Sequence, residues 1–228
     1  MHFVLLTLLV LAIVFGPQLW ARYIFKRYSQ PLPRIPGTGG ELAVHLLERF
    51  DMDGVKVEKS EKQGDHYDPF RKVVCLSVSN HDDNSLTAVA VAAHEVGHAI
   101  QHHRDEPMLK WRTRLAVFAM VVQKIGAAAM LAMPIVMAIS RAPVSGVFLA
   151  AIGLGSMLIA TLVHLVTLPV EIDASFGKAL PVLKEGQYIQ PQDEAAVRQI
   201  LRAAALTYVA ASLASLLNLW RWVRILRP

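Results

Sequence analysis

The chain has 228 residues, of which 54% are hydrophobic and 18% charged, with a formal net charge of +5 and a mean hydropathy of +0.39. That length suits one domain or one compact membrane unit, and the poverty in charge excludes disorder, collagen and coiled coil. A single cysteine, Cys75, excludes an internal disulfide framework, and Lys and Arg scattered between apolar blocks read as membrane flanks rather than a nucleic-acid surface.

Taken in chain order, the first apolar block is Phe3–Trp20, which carries no charge. It is just long enough to cross a bilayer. It lacks a basic leader and a small-residue cleavage site, so residues 1–22 read as a retained anchor rather than a removed signal peptide. Gln30–Gly40, rich in Pro and Gly, reads as a linker. Glu41–Phe50 sets Leu42, Leu46, Leu47 and Phe50 at helical spacing, and Val55–Lys59 alternates as a strand does. Lys62-Gln63-Gly64-Asp65 is turn-like, and Lys72–Ser79, carrying Val73, Val74 and Cys75, is a second strand. Asn80–Asn84 is a polar break in which Asp83 or Asn84 can cap the next helix. That helix, Ser85 to about His103, is Ala- and Val-rich and is expected to be buried almost all round. Residues 23–114 thus form a small α+β module.

Two longer apolar blocks follow, Leu115–Ser140 and Ala142–Val170, which make residues 115–170 a transmembrane hairpin turning at Arg141. Residues 171–202 return to mixed polarity as a helical segment. Ala203–Trp220 gives a fourth crossing, within residues 203–228, and ends in a basic tail. The expected fold is therefore mainly α, with about four transmembrane helices and a small α+β module. Four crossings put residues 21–114 and 171–202 on one side. Most Lys and Arg lie there, which places that side in the cytoplasm, although Arg221, Arg224 and Arg227 argue the other way. Lys124, inside the second crossing, can snorkel toward that same side.

The buried helix contains His94-Glu95-Val96-Gly97-His98, an H-E-x-x-H motif. Histidines at i and i+4 share one helix face, so both imidazoles can reach one zinc. Glu95 is offset by one residue and can hold and deprotonate a water beside the metal. Small residues, from Ala88 to Ala99, surround the motif as close packing against a metal and a second helix requires. The third ligand defines the class. A third histidine ten residues after the first would mark a metzincin, but that position is Arg104. His102 lies about 12 Å along the helix from His94, too far for one tetrahedral ion, and reads as a polar helix end. Glu171 and Asp173, where the third apolar block ends, are the remaining candidates. Glu171 is expected to be the ligand, with Asp173 either behind the ligands or the rival ligand.

The run Asp65-His66-Tyr67-Asp68-Pro69, then Leu76-Ser77, Ser85-Leu86, Ala88 through Gln101 around the H-E-x-x-H motif, and Leu168-Pro169-Val170-Glu171-Ile172-Asp173-Ala174-Ser175, resembles the YugP-type family of neutral zinc metallopeptidases of bacterial membranes. The resemblance spans nearly the whole chain. It implies a zincin-like catalytic module, one zinc per chain, a multi-pass location in the bacterial inner membrane and peptidase activity. The related HtpX-like and CAAX-prenyl endopeptidases take their third ligand from the first Glu of an E-x-x-A-D segment. Glu171 and Ala174 match that segment, and Ser175 stands at the Asp position, where Asp173 is a candidate substitute.

The expected chemistry is zinc-dependent peptide hydrolysis with Glu95 as the general base. His66, Tyr67 and His164 are candidates for stabilising the oxyanion, His66 and Tyr67 from a loop before the second strand, while His164 reads rather as a polar residue near the membrane interface. That same loop reads equally as a turn held by Asp65 and Asp68. Strand Lys72–Ser79 could offer an edge to an extended substrate, or be fully paired within the small sheet. Expected partners are a peptide or membrane-protein substrate, the lipid bilayer, and a membrane-protein partner or second copy, with no nucleic acid. Two rival classes are weighed. A non-catalytic zinc-braced scaffold or adaptor is disfavoured by the intact Glu95. An intramembrane protease is disfavoured by the polar residues on both sides of the motif.

Overall fold

The structure is a computed structural model and describes residues 2–61, 64–207 and 209. Its elements are α1 (His2–Arg27), α2 (Gly39–Arg49), β1 (Lys56–Ser60), β2 (His66–Asp68), β3 (Val73–Ser77), α3 (Val78–Asp82), α4 (Leu86–His103), α5 (Pro107–Ser140) and α6 (Pro143–Ile172). A π-helical segment, Asp173–Ala179, continues α6 into α7 (Leu180–Glu185), and after a 3-10 turn comes α8 (194–207). The fold is mostly helical with one small mixed sheet. Among the described residues, one compact unit draws on 2–15 and 111–168, the other on Gly16–Lys110 and Pro169–Thr207.

In the second unit the sheet order is β1-β3-β2, with β1 parallel and β2 antiparallel to β3. Central β3 buries Val73 through Leu76, and the β-branched run suits a strand covered on both faces. Both edges of β3 are occupied, Val74 pairing with Val57 on one side and Tyr67 on the other. Of the two readings of Lys72–Ser79, the fully paired strand holds and the free edge does not: the edges belong to β1 and β2. His66 and Tyr67 also lie on a strand rather than in a loop. A three-residue strand is too short to show a period of two in sequence. The turn at Pro69 is held by Asp68 alone, whereas Asp65 reaches across to β3 and α3. Asp65 accepts from Ser77 N and Asn80 Nδ2, and Asp68 Oδ1 accepts from Phe70 N and Arg71 N.

Helix α2 begins with a capping box in which Thr38 and Glu41 satisfy each other's backbone amides. Its Ala43, Leu46 and Leu47 are buried in the core beside α4. The preceding Gln30–Gly40 stretch is no free linker. Asn84 Nδ2 donates to Leu32 O and Ile35 O at 3.2 and 3.3 Å, and Ile35 is buried. Asn84 is thereby taken from the capping role expected of it or Asp83. Ser85 caps α4 instead, its hydroxyl accepting from Ala88 N at 3.1 Å. The polar break before it is largely filled by α3. Helix α4 is buried from Leu86 through Gln101, as expected. The end of α1 packs against its start: Ala21 and Ile24 are in the core, and Thr87 Oγ1 donates to Phe25 O at 2.9 Å.

Two helices among the described residues are long and apolar enough to cross a membrane, α5 and the helix running from Val144 to Glu185, against the four expected. Helix α1 contains the first apolar block. Most of Ala203–Trp220, the fourth expected crossing, lies outside the described residues, as do Lys62 and Gln63 of the expected turn. In the first unit α5 and α6 approach through small residues. A Cβ on Gly126 would collide with Ser156, and one on Gly153 with Met130. Packing of small residues is what membrane helices use when no hydrophobic drive separates helix from lipid. Leu131, Ile139 and Val147 point outward and are well exposed, as lipid-facing side chains would be.

Candidate metal centre

Helix α4 carries His94 and His98 one turn apart, with their rings edge to face at 4.8 Å between centroids. Glu171, the penultimate residue of α6, reaches between them. Its Oε2 lies 3.2 Å from His94 Nε2 and 3.3 Å from His98 Nε2. All three residues are buried, and their ligand atoms lie within 4.8 Å of one another. Ligands about 2.0–2.1 Å from a tetrahedral zinc are spaced by roughly 3.3 Å, so this donor set fits that ion. Two imidazoles and one carboxylate are also the donor chemistry of a hydrolytic zinc site, which leaves a coordination position for water or substrate. His94, His98 and Glu171 would hold the metal.

Close approach of two backbones makes the cluster. Gly97 lies between the histidines, and a Cβ there would come within 2.8 Å of the Ala174 carbonyl oxygen. Absence of a side chain at 97 lets the π-helical segment lie directly on α4. Segments of this kind recur at functional sites because they re-aim side chains within a continuous helix. Here Ser175 Oγ comes 3.1 Å from His94 Nδ1, so the residue at the expected carboxylate position does touch a ligand. Asp173 points elsewhere. Its Oδ2 accepts from Gln101 Nε2 at 2.7 Å and from Lys178 Nζ at 2.8 Å. It stands outside the three-residue cluster and adjoins it through Gln101, whose Oε1 lies 3.0 Å from His98 Nδ1.

Glu95 is buried beside His94. Burial pushes its carboxyl up from 4.5 to about 7; the charge of His94 opposes the rise, and the Glu171 and Asp65 carboxylates add to it. A base poised near neutrality suits proton transfer at physiological pH. The same shift is a stability cost. An acid whose folded pKa is raised destabilises the fold when ionised. The penalty is absent below 4.5, grows between 4.5 and 7, and is complete above 7. The shift corresponds to about 3 kcal/mol at most. Chelator-treated Glu95→Gln is therefore expected to melt above wild type at pH 8 and together with it at pH 4.5. Melts in detergent at the two pH values check this, and a Gln variant less stable at pH 8 would contradict it.

His66 and Tyr67 are not joined to the cluster by their side chains. His66 Nδ1 bonds the Gly64 carbonyl at 2.8 Å. Tyr67 Oη shares a 2.7 Å hydrogen bond with His102 Nδ1, and burial, helped by Asp68, pushes its phenol up to about 12. His102, expected as a plain polar helix end, is thus tied to β2. The Tyr67 backbone nonetheless lies near enough to Glu95 to oppose the rise of its carboxyl, and β2 packs beside α4. His164 belongs to the other compact unit. Sequence reasoning assigned no contact to Gln101 or Ser175. The available signal was spacing: Gln101 is three residues after His98, and Ser175 four after Glu171, so each shares a helix face with a ligand.

Residues 3–227 match the family model described as "Putative neutral zinc metallopeptidase". The chain is also similar to the "Putative membrane protease YugP" of Bacillus subtilis (strain 168), at 37% identity over 231 positions that cover 99% of this chain and 96% of that protein. No solved structure matches the chain.

Proposed function

The chain belongs to the "Putative neutral zinc metallopeptidase" family, and we propose that it is a zinc-dependent endopeptidase that cleaves membrane or membrane-proximal proteins. The observation that carries this reading is the buried His94–His98–Glu171 cluster with a buried, near-neutral carboxyl, Glu95, beside it. Zinc, when bound, supplies a Lewis acid that acidifies water and polarises the peptide carbonyl. His94 and His98 offer Nε2, and Glu171 offers Oε2. Glu95 receives the proton of the attacking water on its carboxylate and returns it to the leaving amine nitrogen. Strand β2 is an edge of the sheet and packs beside α4, and an extended substrate would add there. A zinc-braced scaffold or adaptor needs no base beside its ligands, which disfavours that alternative.

Membrane substrates are supported by α5 and α6, and by the relative's description as a membrane protease. The direct experiment measures zinc per chain and cleavage of a membrane-protein substrate in one purified preparation. Zinc binding without cleavage of any tested protein would favour the scaffold.

For topology we propose four crossings of a bacterial inner membrane with the site on the cytoplasmic side. The support is the concentration of Lys and Arg in residues 21–114 and 171–202. Cysteine labelling at Lys59 and Gln187 is expected to succeed only from the cytoplasm. Labelling at 59 from outside would reverse the orientation, and opposite sides for 59 and 187 would overturn the crossing count.

A further inference from the structure

Gln101 is 1% exposed and makes contacts whose chemistry leaves one arrangement of its amide. Its Nε2 lies 3.0 Å from the Val170 carbonyl oxygen and 2.7 Å from Asp173 Oδ2. A carbonyl and a carboxylate only accept, so the NH2 end must face them. Lys178 Nζ, 2.8 Å from Asp173 Oδ2 and 3.0 Å from Glu106 Oε1, holds that carboxylate from behind. The amide oxygen of Gln101 is then left for His98 Nδ1 at 3.0 Å. An amide oxygen accepts and never donates, so Nδ1 must carry a proton. A neutral His98 consequently presents a bare lone pair at Nε2, the atom that faces Glu171.

We infer that Gln101 is a positioning residue that fixes His98 as an Nε2 metal ligand, and that Asp173 acts on the centre through this amide rather than as a ligand. The inference rests on the zinc-centre reading and deepens it. The two histidines are held differently. Ser175 Oγ on His94 Nδ1 can donate or accept, so it leaves the tautomer of His94 open. Gln101 leaves His98 no such choice. It also ties α4 to the backbone at Val170, next to Glu171, so one side chain aligns two of the three ligands. Partners of this kind typically change metal affinity by about 10–100-fold when removed.

The test uses the full chain in detergent, zinc-loaded and labelled with 15N-histidine. Long-range proton–nitrogen correlation shows which ring nitrogen of His98 carries the proton. Chelator competition gives the zinc dissociation constant. In wild type the His98 proton is expected on Nδ1. Gln101→Leu is expected to weaken zinc binding by about 10–100-fold. Gln101→Met fills nearly the same volume but carries neither the acceptor for His98 nor the donors for Val170 and Asp173. It is expected to weaken zinc binding about as much as Gln101→Leu, which a merely space-filling role for Gln101 does not predict. A His98 proton on Nε2 in zinc-loaded wild type overturns the inference even where the Leu variant fails to fold. Unchanged affinity in Gln101→Leu, or wild-type affinity in Gln101→Met, overturns it as well. Failure of wild type to bind zinc at all would instead remove the zinc-centre reading beneath it.

Discussion

Glu95→Gln is expected to retain one zinc per chain and the native fold while losing peptide hydrolysis by a factor on the order of 10²–10⁴. The amide has nearly the shape of the carboxylate, so the buried position beside His94 stays filled. What it loses is the ability to take a proton. Because Glu95 is not among the three clustered ligand residues, its replacement spares the donor set. Zinc analysis and a cleavage assay on the same preparation read both halves of the expectation. Full proteolysis by a clean preparation of this variant would remove the mechanism. Loss of zinc along with activity would move Glu95 from base to structural role.

The second large effect separates the two acids that follow the third apolar block. Glu171→Ala is expected to lower zinc occupancy sharply, because Oε2 lies 3.2–3.3 Å from both imidazoles and no other acid joins that cluster among the described residues. A catalytic zinc has few protein ligands, and losing one leaves two histidines. Asp173→Ala is expected to lower activity more than occupancy, since its carboxylate meets Gln101 and Lys178 instead of the cluster. Metal analysis of the two single variants decides between them. If Asp173→Ala loses the zinc while Glu171→Ala keeps it, the assignment is reversed.

Helix α4 and its two histidines were legible in the sequence because H-E-x-x-H is a local pattern: spacing of four on a helix determines which atoms share a face. Glu171 was legible by elimination and through the resemblance to the E-x-x-A-D segment, not by periodicity. It is 73 residues from His98, and no periodicity links the two. What brings it back is the π-helical turn lying on Gly97, a backbone feature that side-chain patterning does not encode. Strand β2 was missed because three residues carry no period, and their extended form comes from pairing with β3. Asp83 and Asn84 were the caps expected by residue type, and the observed cap is Ser85. Tertiary structure makes the difference, since the carbonyls of Leu32 and Ile35 claim the Asn84 amide. Gln101 was hidden for a related reason. A glutamine in a helix reads as a polar face, and its partners on Val170 and Asp173 exist only after the two helices meet.

A hydrolytic zinc centre formed by His94, His98 and Glu171 underlies the expected losses of zinc and of hydrolysis. X-ray absorption at the zinc edge of the purified, zinc-loaded chain tests it directly. The expected spectrum contains two imidazoles at about 2.0–2.1 Å, the rest of the shell oxygen, and no sulfur. A closed shell of three or four imidazoles, or a sulfur ligand from Cys75, would contradict it.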